Sequence, residues 1–165
     1  MTVTIRPART ADVPLIRELV DHYAADGTLL SKATVTLYED IQEFTVADVD
    51  DEPVGVGALH VMWSDLAEVR TLAVRPSHLG LGVGGLILDE LVERARLLGV
   101  DRVFCLTHEV DFFGARGFAK MLDDGVTTQV FAELMLSEDE GVAEFLDLER
   151  VKPNTLGNTR MILRL

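Results

Sequence analysis

Hydrophobic and polar residues follow two periods along this chain, and each period predicts one kind of element. Alternation with a period of two predicts short strands, and a period near 3.6 predicts helices. The strands are expected over 3–6, 43–49, 53–63, 68–74, 102–107 and 161–165. Helices are expected from a Thr10 cap to Gly27, over 31–41, from the glycine-rich segment to Leu98, and over 111–118 and 142–151.

The order of these elements predicts the fold class. Strands and helices alternate at both ends of the chain, but residues 43–74 read as consecutive strands joined by turns, the second turn at 63–67. A mixed, mostly antiparallel sheet flanked by helices is therefore favoured over a parallel sheet, which makes an α+β fold with three layers, α/β/α. At 165 residues, a single domain over 1–165 is expected.

Composition excludes several classes of function. The net charge of −13 opposes binding to nucleic acid or to an anionic membrane surface. Cys105 is the one cysteine, which excludes an internal disulfide and a cysteine-based metal cage, so no metal is expected. The N-terminus lacks the apolar core of a signal peptide and no apolar run is long enough to span a bilayer, so a cytoplasmic protein is expected. The oligomeric state is left open, with a homodimer among the options.

The segment RPSHLGLGVGGLILDEL, residues 75–91, carries four glycines directly before an apolar helix. Unpaired N–H groups at a helix start, together with the helix dipole, favour an anion such as a phosphate. No Lys-Ser or Lys-Thr follows, which excludes a nucleoside-triphosphate P-loop. Gly80, Gly82 and Gly85 spell G-x-G-x-x-G, with Glu109 a further 24 residues on, so a dinucleotide site is the alternative. Five residues that include Pro76 separate this motif from its strand, which disfavours that alternative.

The longer stretch AEVRTLAVRPSHLGLGVGGLIL resembles the acetyl-coenzyme-A motif of the GNAT acetyltransferase superfamily. Val74, Pro76, Gly82 and Gly84 match the pattern Val-x-Pro followed by Gln/Arg-x-x-Gly-x-Gly/Ala, whereas Leu79 replaces the usual Gln or Arg. FFGARGF is similar to the family's later helix. The resemblance implies that acetyl-CoA is held by backbone groups of one strand and of the glycine segment, and by the later helix. The implied residues are Leu72, Ala73, Val74, Leu79, Gly80, Leu81, Gly82, Val83, Gly84, Gly85 and Phe113.

A narrower resemblance covers nearly the whole chain. LLSKATVTLYEDIQEF, GALHVMWSDLAEVRTLAV and the tail from Gly141 resemble the short N-acetylglutamate synthases that lack an amino-acid-kinase domain. This resemblance implies acetyl transfer from acetyl-CoA to the α-amine of glutamate, the first step of arginine biosynthesis, by direct attack in a ternary complex.

Glu68 is the candidate general base, since a catalytic glutamate stands at this strand position in some relatives. A model α-amine has a pKa of about 8 and is mostly protonated at neutral pH, so a base assists attack. Pairing with an arginine, such as Arg70, is the structural alternative for Glu68. A backbone N–H near Leu72 is the implied oxyanion donor. Many relatives carry a tyrosine as general acid where this chain has Phe113, which cannot donate a proton.

Recognition of an amino acid requires cations for its carboxylates. Lys32, Arg70 and Arg160 are the candidates, each of which could instead be an ordinary surface charge. His108-Glu109 stands where two-domain synthases have Thr-Arg. A carboxylate at Glu109 repels a γ-carboxylate but accepts hydrogen bonds from an amide, so glutamine is predicted as a substrate beside glutamate, or in preference to it.

Two other functions stay open at this stage. A related acetyltransferase could act on a different amine, such as an antibiotic or a protein N-terminus. Phe113 also allows a sensor that binds acetyl-CoA without turning it over.

Overall fold

A computed structural model of the chain describes residues 1–148, 151 and 157–165. The strands are β1 (Val3–Pro7), β2 (Phe44–Val49), β3 (Glu52–Trp63), β4 (Leu66–Val74), β5 (Arg102–Thr107), β6 (Ala119–Lys120) and β7 (Thr159–Arg164). The α-helices are α1 (Val13–Ala24), α2 (Thr34–Glu39), α3 (Val83–Leu98), α4 (Val110–Gly114), α5 (Thr128–Leu134) and α6 (Glu140–Phe145). Single 3₁₀ turns occur at Thr10–Asp12, Ile41–Glu43 and Pro76–His78.

The described strands form one seven-stranded sheet in the order β1-β2-β3-β4-β5-β7-β6. The β1–β2, β2–β3, β5–β7 and β6–β7 pairs are antiparallel, whereas β4 and β5 are parallel. The sheet is therefore mixed and mostly antiparallel, with helices packed on it, as the consecutive strand patterns predicted. It is an α+β fold.

The chain divides into two compact units, each made of two segments. The first unit contains Met1–His60 and Val69–Gly99, and the second contains Val61–Glu68 and Val100–Leu165. The expectation of a single domain over 1–165 stays a prediction. Both boundaries of the short segment Val61–Glu68 lie inside strands, so β3 and β4 each contribute residues to both units.

The first unit has its own apolar core. Helix α1 buries one face, with Ile16 and Val20 fully inaccessible, against Leu37 of α2 and against Val46 and Val56 of the sheet. Burial of about five such side chains from α1 alone explains why this short amphipathic helix is stable in the fold.

The second unit has a separate core around Phe104 of β5. Phe145 of α6 meets Phe104 edge to face, with ring centroids 5.0 Å apart. Met62, Leu66 and Leu134 complete this cluster. The core of the second unit thus joins buried side chains of β3, β4, β5, α5 and α6.

Several predicted boundaries were wrong for local reasons. Thr10 does not cap α1, which begins at Val13; Asp12 occupies the cap position, and its carboxylate accepts hydrogen bonds from the Arg9 N–H and the Arg6 guanidinium. The turn predicted over 63–67 is confined to two residues, 64–65, because Leu66 and Ala67 are buried strand residues.

The tail differs most from the expectations. Helix α6 spans Glu140–Phe145, where a helix over 142–151 was predicted, and residues 149–150 of that prediction lie outside the described residues. Strand β6 and helix α5 were not predicted. Strand β7 begins two residues earlier than expected, at Thr159.

Candidate active site

The glycine segment forms a sharp turn between β4 and α3. Gly80 and Gly82 have φ angles of 78° and 82°, in the left-handed region that costs other residues about 1–2 kcal/mol. Gly82 is the N-terminal cap of α3, and Gly84 and Gly85 lie in the first helical turn. The four glycines therefore have two roles: two make the turn, and two begin the helix.

The start of α3 presents unpaired backbone donors. The Leu86 N–H donates to the Gly82 carbonyl at 3.2 Å, so the N–H groups of Val83, Gly84 and Gly85 precede this first intrahelical bond. A Cβ built on Gly80 or Gly82 would meet no atom within 4 Å. The helix N-terminus thus faces open space, and a pyrophosphate fits the donors and the room that these residues provide.

Two further glycines, which the sequence interpretation missed, lie beneath α3 in β3. A Cβ on Gly55 would lie 2.9 Å from Ile87 Cδ1, and one on Gly57 would lie 2.7 Å from Ile87 Cγ2. Successive odd positions of a strand share a face, so both glycines face the helix. They let α3 approach the sheet closely. The position of α3 on the sheet in turn fixes the position of the glycine turn that precedes this helix. The G-x-G alternation inside a strand was the signal available in the sequence.

The C-terminal half of β4 carries the predicted pantetheine-binding residues. Within the first unit, β4 is the last strand in the sheet order. Ala73 and Val74 are buried and Leu72 is half-buried. Tyr23 donates its hydroxyl to the Val74 carbonyl at 2.6 Å, which fixes α1 to the end of this strand. Thr71, within β4 and just before Leu72, has a φ of 55°, an unusual value for a branched residue.

Glu68 lies in the second unit, at the end of the parallel ladder between β4 and β5. The register runs from the pair Leu66 and Arg102 to the pair Glu68 and Phe104. Glu68 is 7% exposed, which is unusual for a glutamate. Burial raises the pKa of the neighbouring Cys105 thiol, and the negative charge of Glu68 raises it further.

The predicted substrate residues Lys32 and Arg70 both lie in the first unit, and the positive charge of each lowers the pKa of the same carboxyl group, Asp40. Burial, reinforced by Glu43, raises the pKa of Asp40, whereas Lys32, His60 and Arg70 lower it. The charges of Lys32 and Arg70 thus both influence Asp40, a carboxyl group that the sequence interpretation did not single out.

Glu109 and Phe113 lie around α4 in the second unit. Glu109 is exposed at the N-terminal end of the helix, and its N–H donates to the Thr107 hydroxyl at 2.8 Å. Phe113 is 6% exposed and packs edge to face on Phe112 and Phe118. Phe113 is thus a core residue of the α4 region.

Arg160 has a structural environment inside the second unit. Its guanidinium donates to the Phe145 carbonyl and lies over the rings of Phe104 and Phe145, 5.7 and 5.4 Å from their centroids. Burial lowers its pKa. These contacts give Arg160 a structural role in the second unit, and its predicted role toward the substrate stays a prediction.

The described residues also bear on other kinds of site. No three His, Cys, Asp or Glu side chains among them are grouped in a way that could hold a metal ion. None of the helices described is long and apolar enough to cross a membrane. A cavity of about 530 Å³ in the second unit, lined by Trp63, Asp65, Arg102 and Asp123 among others, contains none of the predicted site residues.

A mixed sheet whose fourth strand leads through a glycine turn into a capped helix is an arrangement that suits a phosphate-bearing cofactor. The family model described as Acetyltransferase (GNAT) family matches residues 15–123, and the chain belongs to this family. It is an acetyl-CoA-dependent acyltransferase. The family relationship confirms the fold class expected from the order of the elements and the class of enzyme implied by the resemblance to the GNAT superfamily.

Individual relatives extend the likeness over the whole chain. An amino-acid acetyltransferase of Mycobacterium tuberculosis is 54% identical over 162 residues, which cover 96% of this chain and 92% of that protein. A crystal structure from the same organism, in complex with CoA and NLQ, has a TM-score of 0.95 at 54% identity and covers 98% of this chain and 99% of that one. An N-acetylglutamate synthase of Neisseria gonorrhoeae, complexed with coenzyme A and N-acetyl-glutamate, has a TM-score of 0.80 at 26% identity. This chain is matched over its full length there but spans only 35% of that longer protein.

Proposed function

We propose that this acetyltransferase transfers the acetyl group of acetyl-CoA to the α-amine of a free amino acid, L-glutamate or L-glutamine. The observation that carries the proposal is the 54% identity, over 96% of this chain, to a protein named as an amino-acid acetyltransferase. The structural likeness to a chain solved with CoA and to an N-acetylglutamate synthase supports the same reaction. Acetylation of glutamate would place the protein at the first step of arginine biosynthesis, in the cytoplasm.

The glycine turn would hold the pyrophosphate of acetyl-CoA. Donors at the start of α3, among them the N–H groups of Val83 and Gly84, would bind the phosphate oxygens, and the helix dipole would favour their charge. The exposed backbone from Leu79 to Gly82 would line the same turn. The backbone of Leu72, Ala73 and Val74 would pair with the pantetheine arm, since β4 is the last strand of the first unit. Acetyl-CoA supplies the activated thioester carbonyl.

Proton transfer would involve Glu68. The substrate amine must be neutral to attack, and a carboxylate at this strand position would accept its proton directly or through water. An N–H near Leu72 would stabilise the developing oxyanion. Because Phe113 is buried and lacks a hydroxyl, the thiolate would leave unassisted or take a proton from water.

Direct attack in a ternary complex is supported by the state of the single cysteine. Cys105 is buried, and both burial and the charge of Glu68 raise its pKa. A thiol in this environment is a poor nucleophile, because the reactive species is the thiolate. An acetyl-cysteine intermediate is therefore disfavoured.

Glu109 would determine the choice between the two substrates. Its exposed carboxylate at the start of α4 would repel the γ-carboxylate of glutamate and accept a hydrogen bond from the amide of glutamine. We propose that glutamine is accepted and that Glu109 is the reason.

The test is release of free thiol from acetyl-CoA with glutamate, glutamine and the other amino acids compared side by side. Turnover restricted to one or both of the two is the expected result. Glu109→Arg should shift the ratio of kcat/KM toward glutamate by about tenfold or more, the effect of one charged hydrogen bond. Glu138→Arg, an exposed control with the same charge change, should leave the ratio unchanged. Turnover of a non-amino-acid amine alone would refute the proposal.

A further inference from the structure

Two side chains of α1 hold the junction where β4 ends and the glycine turn begins. Tyr23 donates its hydroxyl to the Val74 carbonyl at 2.6 Å. Glu18 accepts two hydrogen bonds from the Arg75 guanidinium in a bidentate pair, each at 3.0 Å. Val74 is the last residue of β4 and Arg75 is the first residue after it. Helix α1 therefore contacts the chain at the place where the proposed cofactor site passes from the strand to the turn.

The Val74 carbonyl points to the side of β4 that faces away from β3. The Arg75 N–H donates to the Val54 carbonyl of β3 at 2.8 Å. In a trans peptide the C=O and the N–H point in opposite directions, so the Val74 carbonyl points away from β3. The preceding peptide agrees, because a Cβ built on Gly55 of β3 would lie 3.4 Å from the Ala73 carbonyl oxygen. Both backbone groups of Val74 thus lie on the side away from β3.

The fold holds the Tyr23 hydroxyl in place as a donor. The Tyr23 ring is half-buried and packs against the apolar core of the first unit. The Tyr23 carbonyl accepts the Thr28 N–H at 2.9 Å and the Leu29 N–H at 3.2 Å, so the backbone at this end of α1 is held as well. Burial raises the pKa of the Tyr23 hydroxyl, which therefore keeps the proton that it donates to Val74.

We propose that Tyr23 is a positioning residue for acetyl-CoA and sets the point where the cofactor leaves β4 for the glycine turn. The inference rests on the proposed function, in which the pantetheine arm pairs with the end of β4 and the start of α3 binds the pyrophosphate. The Tyr23 hydroxyl occupies the Val74 carbonyl, the last acceptor of β4 on the side away from β3. The pair of Glu18 and Arg75 holds the next residue. The two anchors keep the parts of the site for the arm and for the phosphates in line.

The direct test is the affinity of Tyr23→Phe for two ligands, measured by titration calorimetry without an amino acid. One ligand is acetyl-CoA, and the other is its nucleotide half, ADP with a 3′-phosphate, which carries the pyrophosphate but no pantetheine arm. Loss of the hydroxyl should raise Kd for acetyl-CoA about three- to tenfold, the range for one hydrogen bond. Kd for the nucleotide half should change less than about twofold, since the glycine turn itself is left intact.

Tyr38→Phe is the matched control, because Tyr38 is the second tyrosine of the chain and is exposed on α2 of the same unit. It should leave both Kd values within about twofold of the wild type. An equal loss of affinity for both ligands in Tyr23→Phe would mark a merely structural role of Tyr23 and would overturn the proposal. Unchanged or tighter binding of acetyl-CoA by Tyr23→Phe would overturn it as well.

Folding of the variants is checked by their Tm without ligand. Should Tyr23→Phe fail to fold, Glu18→Gln tests the second anchor and should raise Kd for acetyl-CoA about three- to fivefold at low salt and less at high salt, with the nucleotide half unaffected. An unchanged Kd for acetyl-CoA in that variant overturns the proposal. Wild-type protein that binds the nucleotide half as tightly as acetyl-CoA overturns the proposed placement of the pantetheine arm as well. Wild-type preference for acetyl-CoA with an unaffected Tyr23 variant overturns this inference alone.

Discussion

Substitution of Gly57 by alanine tests whether the close approach of α3 to β3 sets the cofactor turn. The new Cβ would lie 2.7 Å from Ile87 Cγ2, 3.0 Å from Leu91 Cδ1 and 3.1 Å from Leu72 Cδ1. Ordinary carbon contacts begin at about 3.5 Å, so Ile87 Cγ2 must retreat by about 0.8 Å. That methyl group is attached directly to Cβ of a helical residue with one preferred rotamer, so the retreat requires the helix itself to move.

The magnitude follows from two opposing terms. Overpacking of a core costs about 1–3 kcal/mol, while replacing a strand glycine by alanine recovers about 0.5–1 kcal/mol of backbone entropy. We expect Gly57→Ala to lower the free energy of unfolding by about 1–2 kcal/mol, which corresponds to a fall in Tm of about 2–8 °C for a chain of this size. Displacement of α3 should also lower kcat/KM for acetyl-CoA by about tenfold or more, because misplacement by about 1 Å can cost up to 100-fold.

Gly55→Ala is the matched comparison on the same strand face. Its closest contact, at 2.9 Å, is to Ile87 Cδ1, the end of a side chain that can rotate away, and its other contacts are 3.3 and 3.4 Å. Its cost should therefore stay below about 1 kcal/mol. Gly114→Ala, where a Cβ meets nothing within 4 Å, should be neutral or slightly stabilising.

Urea unfolding and acetyl-CoA kinetics of these variants give the result. In a double-mutant cycle, Ile87→Ala should remove most of the penalty of Gly57→Ala, because the clashing methyl group is gone. Additive effects, or a Gly57 variant as stable and active as the Gly55 variant, would refute the proposed link between glycine packing and the cofactor turn.

Three further outcomes are expected. Cys105→Ser should keep more than about half of the activity. Native Cys105 should resist thiol reagents at pH 8, because burial and the charge of Glu68 raise its pKa. Rapid labelling of Cys105 in the folded protein would contradict this expectation. Asp12→Asn should lower the free energy of unfolding by about 2–3 kcal/mol at pH 7, since its hydrogen bonds with Arg6 hold the pKa of Asp12 below its usual range. That stabilisation is complete above the unfolded pKa near 4 and is lost as the pH falls through the folded value, so unfolding curves of wild type and variant should converge in acid. Leu79→Arg, which places a cation on the exposed cofactor turn, should lower KM for acetyl-CoA about two- to fivefold at low salt and less at high salt; an unchanged KM at low salt would contradict it.

The parts of the fold that were predicted correctly are those with strong local signals. Helix α3 was expected from the glycine segment to Leu98, and it spans Val83–Leu98, where Gly99, at a φ of 82°, ends it. Strand β5 matches its prediction over Arg102–Thr107, since an apolar run between polar residues leaves few alternatives.

The elements that were missed depend on contacts distant in sequence. Helix α5 has a capping Thr127, whose hydroxyl accepts the Val130 N–H, but its short apolar face becomes recognisable only where Leu134 packs beside Phe104. Strand β6 is two residues long and exists because it pairs with β7. Such short segments carry too little periodicity to be assigned alone.

The candidate site also combines features with a local sequence signal and features that depend on distant contacts. The cofactor turn was predictable because its glycines adjoin in sequence. Asp40 was not, because its environment is made by Lys32, His60 and Arg70, which lie up to thirty residues away in the chain. Folding half-buries this carboxylate and brings distant charges near it, and neither effect is visible in the local sequence.

The sheet order has a consequence for synthesis of the chain on the ribosome. Strand β7 pairs with β5 on one side and β6 on the other, yet it emerges after both. Until Thr159 and the following residues arrive, the backbone of β5 on that side has no partner strand, and such an edge invites pairing with other nascent chains. At about 5–20 residues per second, that exposure lasts for seconds. The order in which the strands are made thus sets the time during which the nascent chain is prone to aggregate. Chaperones that bind nascent chains would be needed most between completion of β5 and arrival of β7.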